Sequence, residues 1–135
     1  MPSVVYWGAW GVLALSFTAT GANRLTNSAW IEGEALTLLL MQPIALPLGK
    51  ALLLLPSGAL KALSWIPEIV YLASFPSLVS SYTRCAVWGL WIGMFVFVLA
   101  ILDLTQVALG MLLYFAFLFD PAWRLFFASR ASKKE

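Results

Sequence analysis

The sequence predicts an all-α integral membrane protein with about three transmembrane helices, an N-terminal span and a C-terminal helical hairpin. Composition is the first reason: 62% of the residues are hydrophobic and 10% are charged, whereas soluble domains carry roughly 25% charged residues. The second reason is an apolar run from Cys85 to Phe119 that contains one charge, Asp103. The third is a central segment that is apolar but broken by prolines. The 135 residues fit a single membrane domain.

Residues 4–22 form the predicted N-terminal span. Tyr6, Trp7 and Trp10 cluster at its start, and the amphipathic rings of tyrosine and tryptophan prefer the headgroup region of a membrane. The segment lacks the basic residues that open a secretory signal peptide. We therefore expect it to be retained as a membrane helix.

The middle of the chain divides into a polar loop and a proline-rich region. Residues 23–34 are mostly polar and predict a water-exposed loop. Residues 35–83 are apolar, and proline disfavours long straight helices there. We predict short interfacial or re-entrant helices, and the alternative is two kinked spans, roughly 35–55 and 62–83. The prolines are Pro43, Pro47, Pro56, Pro67 and Pro76.

A short repeat supports the interfacial alternative. The sequence Lys-Ala-Leu begins at Lys50 and again at Lys61, and each copy is followed by a proline, Pro56 or Pro67. This pattern predicts two short helices, each ended by its proline. Each lysine would extend to water while the apolar side chains sink into lipid.

Residues 84–119 can form either a hairpin that reverses at Asp103 or one long helix. A single helix would place Trp91 and Trp123 about 48 Å apart, which exceeds a hydrocarbon core of about 30 Å. A reversal brings both rings to one side of the membrane, so we favour the hairpin. Asp103 and Gln106 have capping-box spacing and predict a polar turn. Contact with another subunit is the alternative role for these two residues.

Gly89 and Gly93 form a GxxxG motif inside this apolar run. Glycines four residues apart lie on one helix face and permit close approach of a second helix. The motif predicts helix packing, and it leaves open whether the partner helix belongs to this chain or to another.

Residues 120–135 predict a basic amphipathic helix, because Asp120 can cap a helix that starts at Pro121. Its apolar side would rest on lipid and its cations would meet headgroups. The tail continues to Glu135 with several basic residues.

A hairpin would bring Arg84 to the side of the membrane that holds the basic tail. Arg84, Trp123, Arg124 and Arg130 then predict a site for anionic phospholipid, with the doubly charged cardiolipin as the best fit. The alternative is that these arginines only set the topology of the chain.

No motif for catalysis or for cofactor binding is present in the sequence. The chain has no histidine and a single cysteine, Cys85, so His-ligated metal or haem sites and internal disulfides are excluded. Nucleophile-elbow and phosphate-loop motifs are lacking. We expect a non-enzyme without a catalytic, cofactor or metal site. Basic stripes with interleaved aromatics are also lacking, so we expect no nucleic-acid partner.

These observations together favour a non-catalytic accessory or structural subunit of a multi-subunit membrane complex. The apolar and aromatic surface is larger than a short chain can bury within itself. A respiratory-chain or ATP-synthase type of assembly in an organellar, mitochondrial inner membrane is the expected setting. Other membrane subunits and anionic phospholipids are the expected partners. The alternative function is a stand-alone membrane-shaping or small transport protein that uses its hairpin and interfacial helices.

Overall fold

The computed structural model describes residues 3–120, 122 and 123. This part of the chain is 78% helical and contains no β-strand, as the all-α prediction requires. A short 3₁₀ helix separates the fifth and sixth α-helices. The elements in chain order are α1 (Ser3–Arg24), α2 (Ser28–Ile31), α3 (Ala35–Leu40), α4 (Pro47–Leu52), α5 (Ser57–Ala73), the 3₁₀ helix (Pro76–Val79), α6 (Ser81–Ile101) and α7 (Thr105–Phe117).

Two of the described helices, α1 and α6, are long and apolar enough to cross a membrane. Their lengths are 22 and 21 residues, and a helix needs about 20 apolar residues to cross the hydrocarbon core. Helix α7 is apolar but has 13 residues. Candidate spans therefore number two among the described residues, where the sequence predicted about three.

Helices α6 and α7 are separate and pack side by side. The indole N–H of Trp88 in α6 donates a hydrogen bond to the carbonyl oxygen of Phe115 in α7, at 2.7 Å. The contact joins the first half of α6 to the end of α7, so the two helices run antiparallel. The chain reverses between Ile101 and Thr105, which is the position that the hairpin alternative specified.

The reversal is held by backbone contacts with the segment before α4. The carbonyl oxygen of Ile101 accepts from the N–H of Leu46 at 2.9 Å, and the N–H of Asp103 donates to the carbonyl of Ile44 at 2.7 Å. Ala45 and Leu102 form an isolated antiparallel bridge. We refer to these contacts as the turn staple. Because the staple supplies backbone partners, the turn does not need glycine or proline.

The predicted capping box at the turn is wrong. The N-cap residue of α7 is Leu104, and its side chain makes no capping hydrogen bond. Asp103 lies one residue earlier, and the side chains of Asp103 and Gln106 are both exposed. The turn staple takes over the role that the sequence assigned to these polar side chains.

The first half of the proline-rich middle forms short helices, whereas the second half contains one long helix, which ends before Pro76. Helices α3 and α4 have six residues each, as the spacing of prolines predicted. Helix α5 has 17 residues and continues through Pro67, so the prediction that Pro67 ends a short helix is wrong. Proline removes the helical partner of the carbonyl four residues earlier, here Leu63. Packing against α1, α3 and α6 along most of its length offsets that loss.

An aromatic core joins α1, α6 and α7. Trp10 stacks on Trp91 with ring centroids 5.2 Å apart, and Trp91 stacks on Phe115 at 5.3 Å. Trp123 meets Trp10 edge to face at 6.3 Å. All four rings are fully buried. The sequence placed Trp10 at the headgroup level and used Trp91 and Trp123 as belt residues, whereas packing inside the chain removes all three from the surface.

A second, aliphatic cluster surrounds the turn staple. It joins α3 and α5 to the end of α6 and fixes the short helices against the long ones. Its buried members are Leu36, Leu40, Ala45, Leu60, Ile101 and Leu102.

Gly49 provides a test of the turn staple. A Cβ atom at Gly49 would overlap the carbonyl oxygen of Ile101 and crowd Leu40 at 3.1 Å. We expect Gly49→Ala to lower the free energy of unfolding by about 1–3 kcal/mol, as overpacking does in other cores. Chemical or thermal unfolding of the detergent-solubilised chain measures this change.

Gly58→Ala is the matched control, because no described atom lies within 4 Å of a Cβ atom there. It removes a helical glycine without a clash, so stability should stay constant or rise by up to about 1 kcal/mol. Equal behaviour of the two variants would contradict the close contact between Gly49 and Ile101.

Candidate functional site

An open apolar groove with a volume of about 290 Å³ lies between α5 and α6. We call it the α5–α6 groove. Pro67 is among its lining residues, and proline lacks the N–H that would bond to the carbonyl of Leu63 one turn earlier. The lining residues are Leu63, Ile66, Pro67, Val70, Gly89, Leu90, Gly93, Met94 and Phe97.

The GxxxG glycines lie on the wall of this groove. Gly89 and Gly93 are both exposed, and no described atom lies within 4 Å of a Cβ atom built on either. Helix α7 instead packs on the face of α6 that carries Trp88, Trp91 and Phe95. The described helices of this chain therefore do not use the close approach that the motif permits.

Asp103 lies in the α6–α7 turn and Gln106 in the first turn of α7. Both side chains are exposed. The described residues also contain no group of three or more His, Cys, Asp or Glu side chains that could hold a metal ion. Asp103 can contact water, a headgroup or another subunit.

Arg84 is buried at the opposite end of α6, with 8% of its surface exposed. Its guanidinium carbon lies 4.5 Å from the centre of the Trp7 ring, and Nη1 donates to the carbonyl of Leu78 at 3.4 Å. Such a cation–π contact contributes about 0.5–2 kcal/mol. Within the described part of the chain, its Nε has no hydrogen-bond partner.

Trp123 lies at the same end but not on the surface. Its indole N–H donates to the hydroxyl of Ser81 at 3.1 Å, and the ring is fully buried. Arg124 and Arg130, the other predicted lipid-binding residues, lie outside the described residues. The chain thus returns to the beginning of α6, where Arg84 also lies.

The sequence analysis missed the most unusual polar residue, Glu68 in α5. Its side chain is 1% exposed, and neither carboxyl oxygen has a hydrogen-bond partner among the described residues. Gly21 of α1 faces it closely: a Cβ atom at Gly21 would lie 3.1 Å from Oε1 of Glu68. Burial raises the pKa of the Glu68 carboxyl above its ordinary value, and the positive charge of Arg24 opposes that rise.

A sequence signal for Glu68 was present. Lys61, Ser64, Glu68 and Tyr71 recur at helical spacing and form one polar stripe on an apolar helix. Such a stripe indicates that one face of α5 packs against polar groups. The proline pattern instead predicted a helix break at Pro67, which would have interrupted this face.

Comparison of the chain with protein-family models, with curated proteins and with solved structures finds no match.

Proposed function

We propose that this chain is a non-catalytic accessory subunit of a membrane protein complex. The observation that carries the proposal is the outward surface of the two long helices. Only 22% of the apolar window in α1 and 28% of that in α6 is buried inside the chain. The core helix of a soluble protein would be mostly buried. Lipid or partner helices are the natural cover for such surfaces.

Large aliphatic side chains project from α1, α6 and α7. Val4 is 80% exposed, and Leu113 is 74% exposed. In water each such side chain would leave apolar area uncovered at a cost of about 25 cal/mol per Å². Further examples are Val12, Leu15, Leu90, Val96 and Val107. Their distribution over several helices supports a membrane environment around the whole bundle.

The α5–α6 groove supports an accessory role within that membrane. It is apolar, and Gly89 and Gly93 give its α6 wall the low profile that permits close helix packing. We propose that an apolar helix of another subunit occupies it. Assemblies of the respiratory-chain or ATP-synthase type in a mitochondrial inner membrane remain the proposed setting.

Anionic phospholipid is the second proposed ligand of the complex. Arg84 and the basic tail with Arg124 and Arg130 would supply cations at one membrane surface. The Trp123 ring contributes by fixing the chain near Ser81 rather than by touching lipid. Cardiolipin, with two charges, suits a group of several arginines.

Cysteine labelling tests the membrane orientation of α6. Asp103 and Val79 lie beyond its two ends and are exposed, and a helix of 21 residues is about 31 Å long. In a Cys85→Ala background, we expect an impermeant maleimide to label Asp103→Cys from one side of intact vesicles. It should label Val79→Cys only from the other side.

The labelling result can also contradict the proposal. Labelling of both positions from the same side would mean that α6 does not cross the bilayer. Detergent-solubilised protein is the control, because there both cysteines should react.

Co-purification tests the groove. Gly89→Ile and Gly93→Ile should leave this chain folded, since both sites are open, but should block a partner helix. We expect roughly tenfold weaker association, equivalent to about 1.4 kcal/mol. Affinity purification in mild detergent followed by native mass spectrometry measures the bound partner.

Gly110→Ile is the matched control, because this glycine is equally open but belongs to α7. It should retain the partner. Equal retention by all three variants would remove the groove from the interface. A homo-oligomer that tubulates liposomes would instead support the alternative, a stand-alone membrane-shaping protein.

Retained lipid tests the proposed anionic site. We expect the double variant Arg84→Ala, Arg124→Ala to lose co-purifying anionic lipid, because each basic residue near an anionic surface contributes about 1 kcal/mol. Lipid mass spectrometry of the purified complex measures this loss. Lys50→Ala, at an exposed basic position in α4, is the control and should retain the lipid. If both variants retained the lipid equally, these arginines would only set the topology of the chain.

A further inference from the structure

We propose that Glu68 is a proton-binding site whose proton release is coupled to movement of Arg24. The site is the contact between α1 and α5, where the carboxyl is enclosed by the chain. It is independent of the groove and of the proposed accessory function. Protonation would give α5 a neutral side chain at its closest approach to α1.

The Glu68 carboxyl is buried without a hydrogen-bond partner in the described part of the chain. The Glu68 side chain is 1% exposed, and both oxygens lack hydrogen-bond partners among the described residues. An ionised carboxylate without a partner pays a large desolvation penalty, whereas the neutral acid avoids most of it. The packed state of α1 and α5 therefore favours the protonated carboxyl.

Close packing around the Glu68 carboxyl favours a proton as its ligand over a larger cation. A Cβ atom at Gly21 would lie 3.1 Å from both Oε1 of Glu68 and Cβ of Tyr71. Calcium and similar cations need six or more oxygen ligands around them. The described residues supply no acidic cluster that could add them. A proton needs neither extra ligands nor space.

Arg24 is the charged group that acts on Glu68. Its guanidinium carbon lies 4.2 Å from the centre of the Trp30 ring and 4.6 Å from that of Tyr71. It forms no ion pair with Glu68 within 4.0 Å, and its charge still favours the ionised carboxylate. Release of the proton breaks the carboxyl O–H bond and leaves a carboxylate, which attracts Arg24 away from the two rings. Because Trp30 belongs to α2, this movement of Arg24 loosens the segment between α1 and α3.

Tyr71 is the titratable side chain nearest to Glu68 along α5, one turn away, and its ring lies 4.6 Å from the guanidinium carbon of Arg24. Lys61, two turns away on α5, pairs with Glu34 at 3.9 Å. Glu32 lies in the same loop, at the C-cap of α2. Tyr6 belongs to the beginning of α1, about 22 Å along the helix from Gly21.

The remaining elements that pack on α5 bring no further charge to this face. The α3 and 3₁₀ segments contain no titratable residue. The titratable side chains of α6 lie in its first turns. Among them, the guanidinium carbon of Arg84 lies 4.5 Å from the centre of the Trp7 ring, at the opposite end of α1 from Gly21. These side chains are Tyr82, Arg84 and Cys85.

The polar stripe of α5 offers a route for the proton to water. Ser64 lies one helical turn from Glu68 on the same face, and its hydroxyl accepts from the N–H of Leu36 at 3.1 Å. Lys61 lies about one turn further and is exposed. Proton exchange along this stripe needs only small local openings between α3 and α5.

Infrared spectroscopy of the full chain in detergent or vesicles tests proton binding. In a titration upward from acid pH, we expect the carbonyl-stretch band of a protonated carboxylic acid to persist above the ordinary glutamate pKa of about 4.3, and this persistent band should be absent in Glu68→Gln. Glu34→Gln and Glu32→Gln are the matched controls and should keep the band. A Glu68-dependent band that vanishes at the ordinary glutamate pKa, or no such band at all, would overturn the proposal.

The pH dependence of stability gives an independent readout. The folded chain holds a proton that the unfolded chain releases near its ordinary pKa of about 4.3, so stability should fall as pH rises above that value. The fall should end once the folded carboxyl has also ionised. Glu68→Gln should be as stable as the natural chain at low pH and should lack this dependence. An unchanged dependence in Glu68→Gln would contradict proton binding at this carboxyl.

Arg24→Gln tests the coupling. Without the positive charge, the Glu68 band should titrate at higher pH. The Trp30 contribution to fluorescence, obtained by difference from Trp30→Phe, should change with pH in the natural chain and not in Arg24→Gln or Glu68→Gln. The same titration with and without Arg24 would overturn the coupling.

Discussion

The packing of Trp91 is the interaction on which the rest of the structure depends. Its ring lies 5.2 Å from that of Trp10, 5.3 Å from that of Phe115 and 5.2 Å from that of Phe17. Its indole N–H donates to the hydroxyl of Ser74 at 3.1 Å. One side chain of α6 therefore contacts α1, α7 and the residue that follows α5. Aromatic pairs of this kind contribute about 0.5–1.5 kcal/mol each beyond the burial of their area.

This aromatic centre explains how so small a chain can also present an aliphatic surface. The bulky rings fill the interior, which leaves side chains such as Val12 and Leu113 on the outside, at 66% and 74% exposure. Most buried polar side chains inside the bundle have hydrogen-bond partners nearby. For example, the hydroxyl of Ser74 donates to the carbonyl of Val70 at 2.8 Å. Glu68 departs from that rule, and its neutral form is the physical means by which the interior tolerates it.

The sequence predicted the helical class, the reversal near Asp103 and the short helices around Pro43 and Pro47, because each follows from local composition. The predictions from sequence were wrong where contacts between distant segments determine the local structure. Helix α5 continues through Pro67 because its neighbours hold it on both sides of the proline. The turn forms without a side-chain cap because the turn staple comes from a distant segment, and such a pairing leaves no local pattern.

The candidate sites were predictable to different degrees. The exposure of Gly89 and Gly93 agrees with their motif, but only the fold could tell that α7 packs elsewhere. Trp123 was assigned to lipid because tryptophan favours membrane interfaces, whereas its ring is part of the core. Glu68 was missed even though its helical spacing with Ser64 was readable, because Pro67 was interpreted as the end of a helix.

The unequal lengths of α6 and α7 have a consequence for the bilayer itself. Helix α6 has 21 residues and α7 has 13, which correspond to about 31 Å and 20 Å. A hydrocarbon layer of about 30 Å matches the first and exceeds the second, and lipid responds to such a mismatch by thinning locally. In a membrane this hairpin would therefore impose two thicknesses on its surroundings.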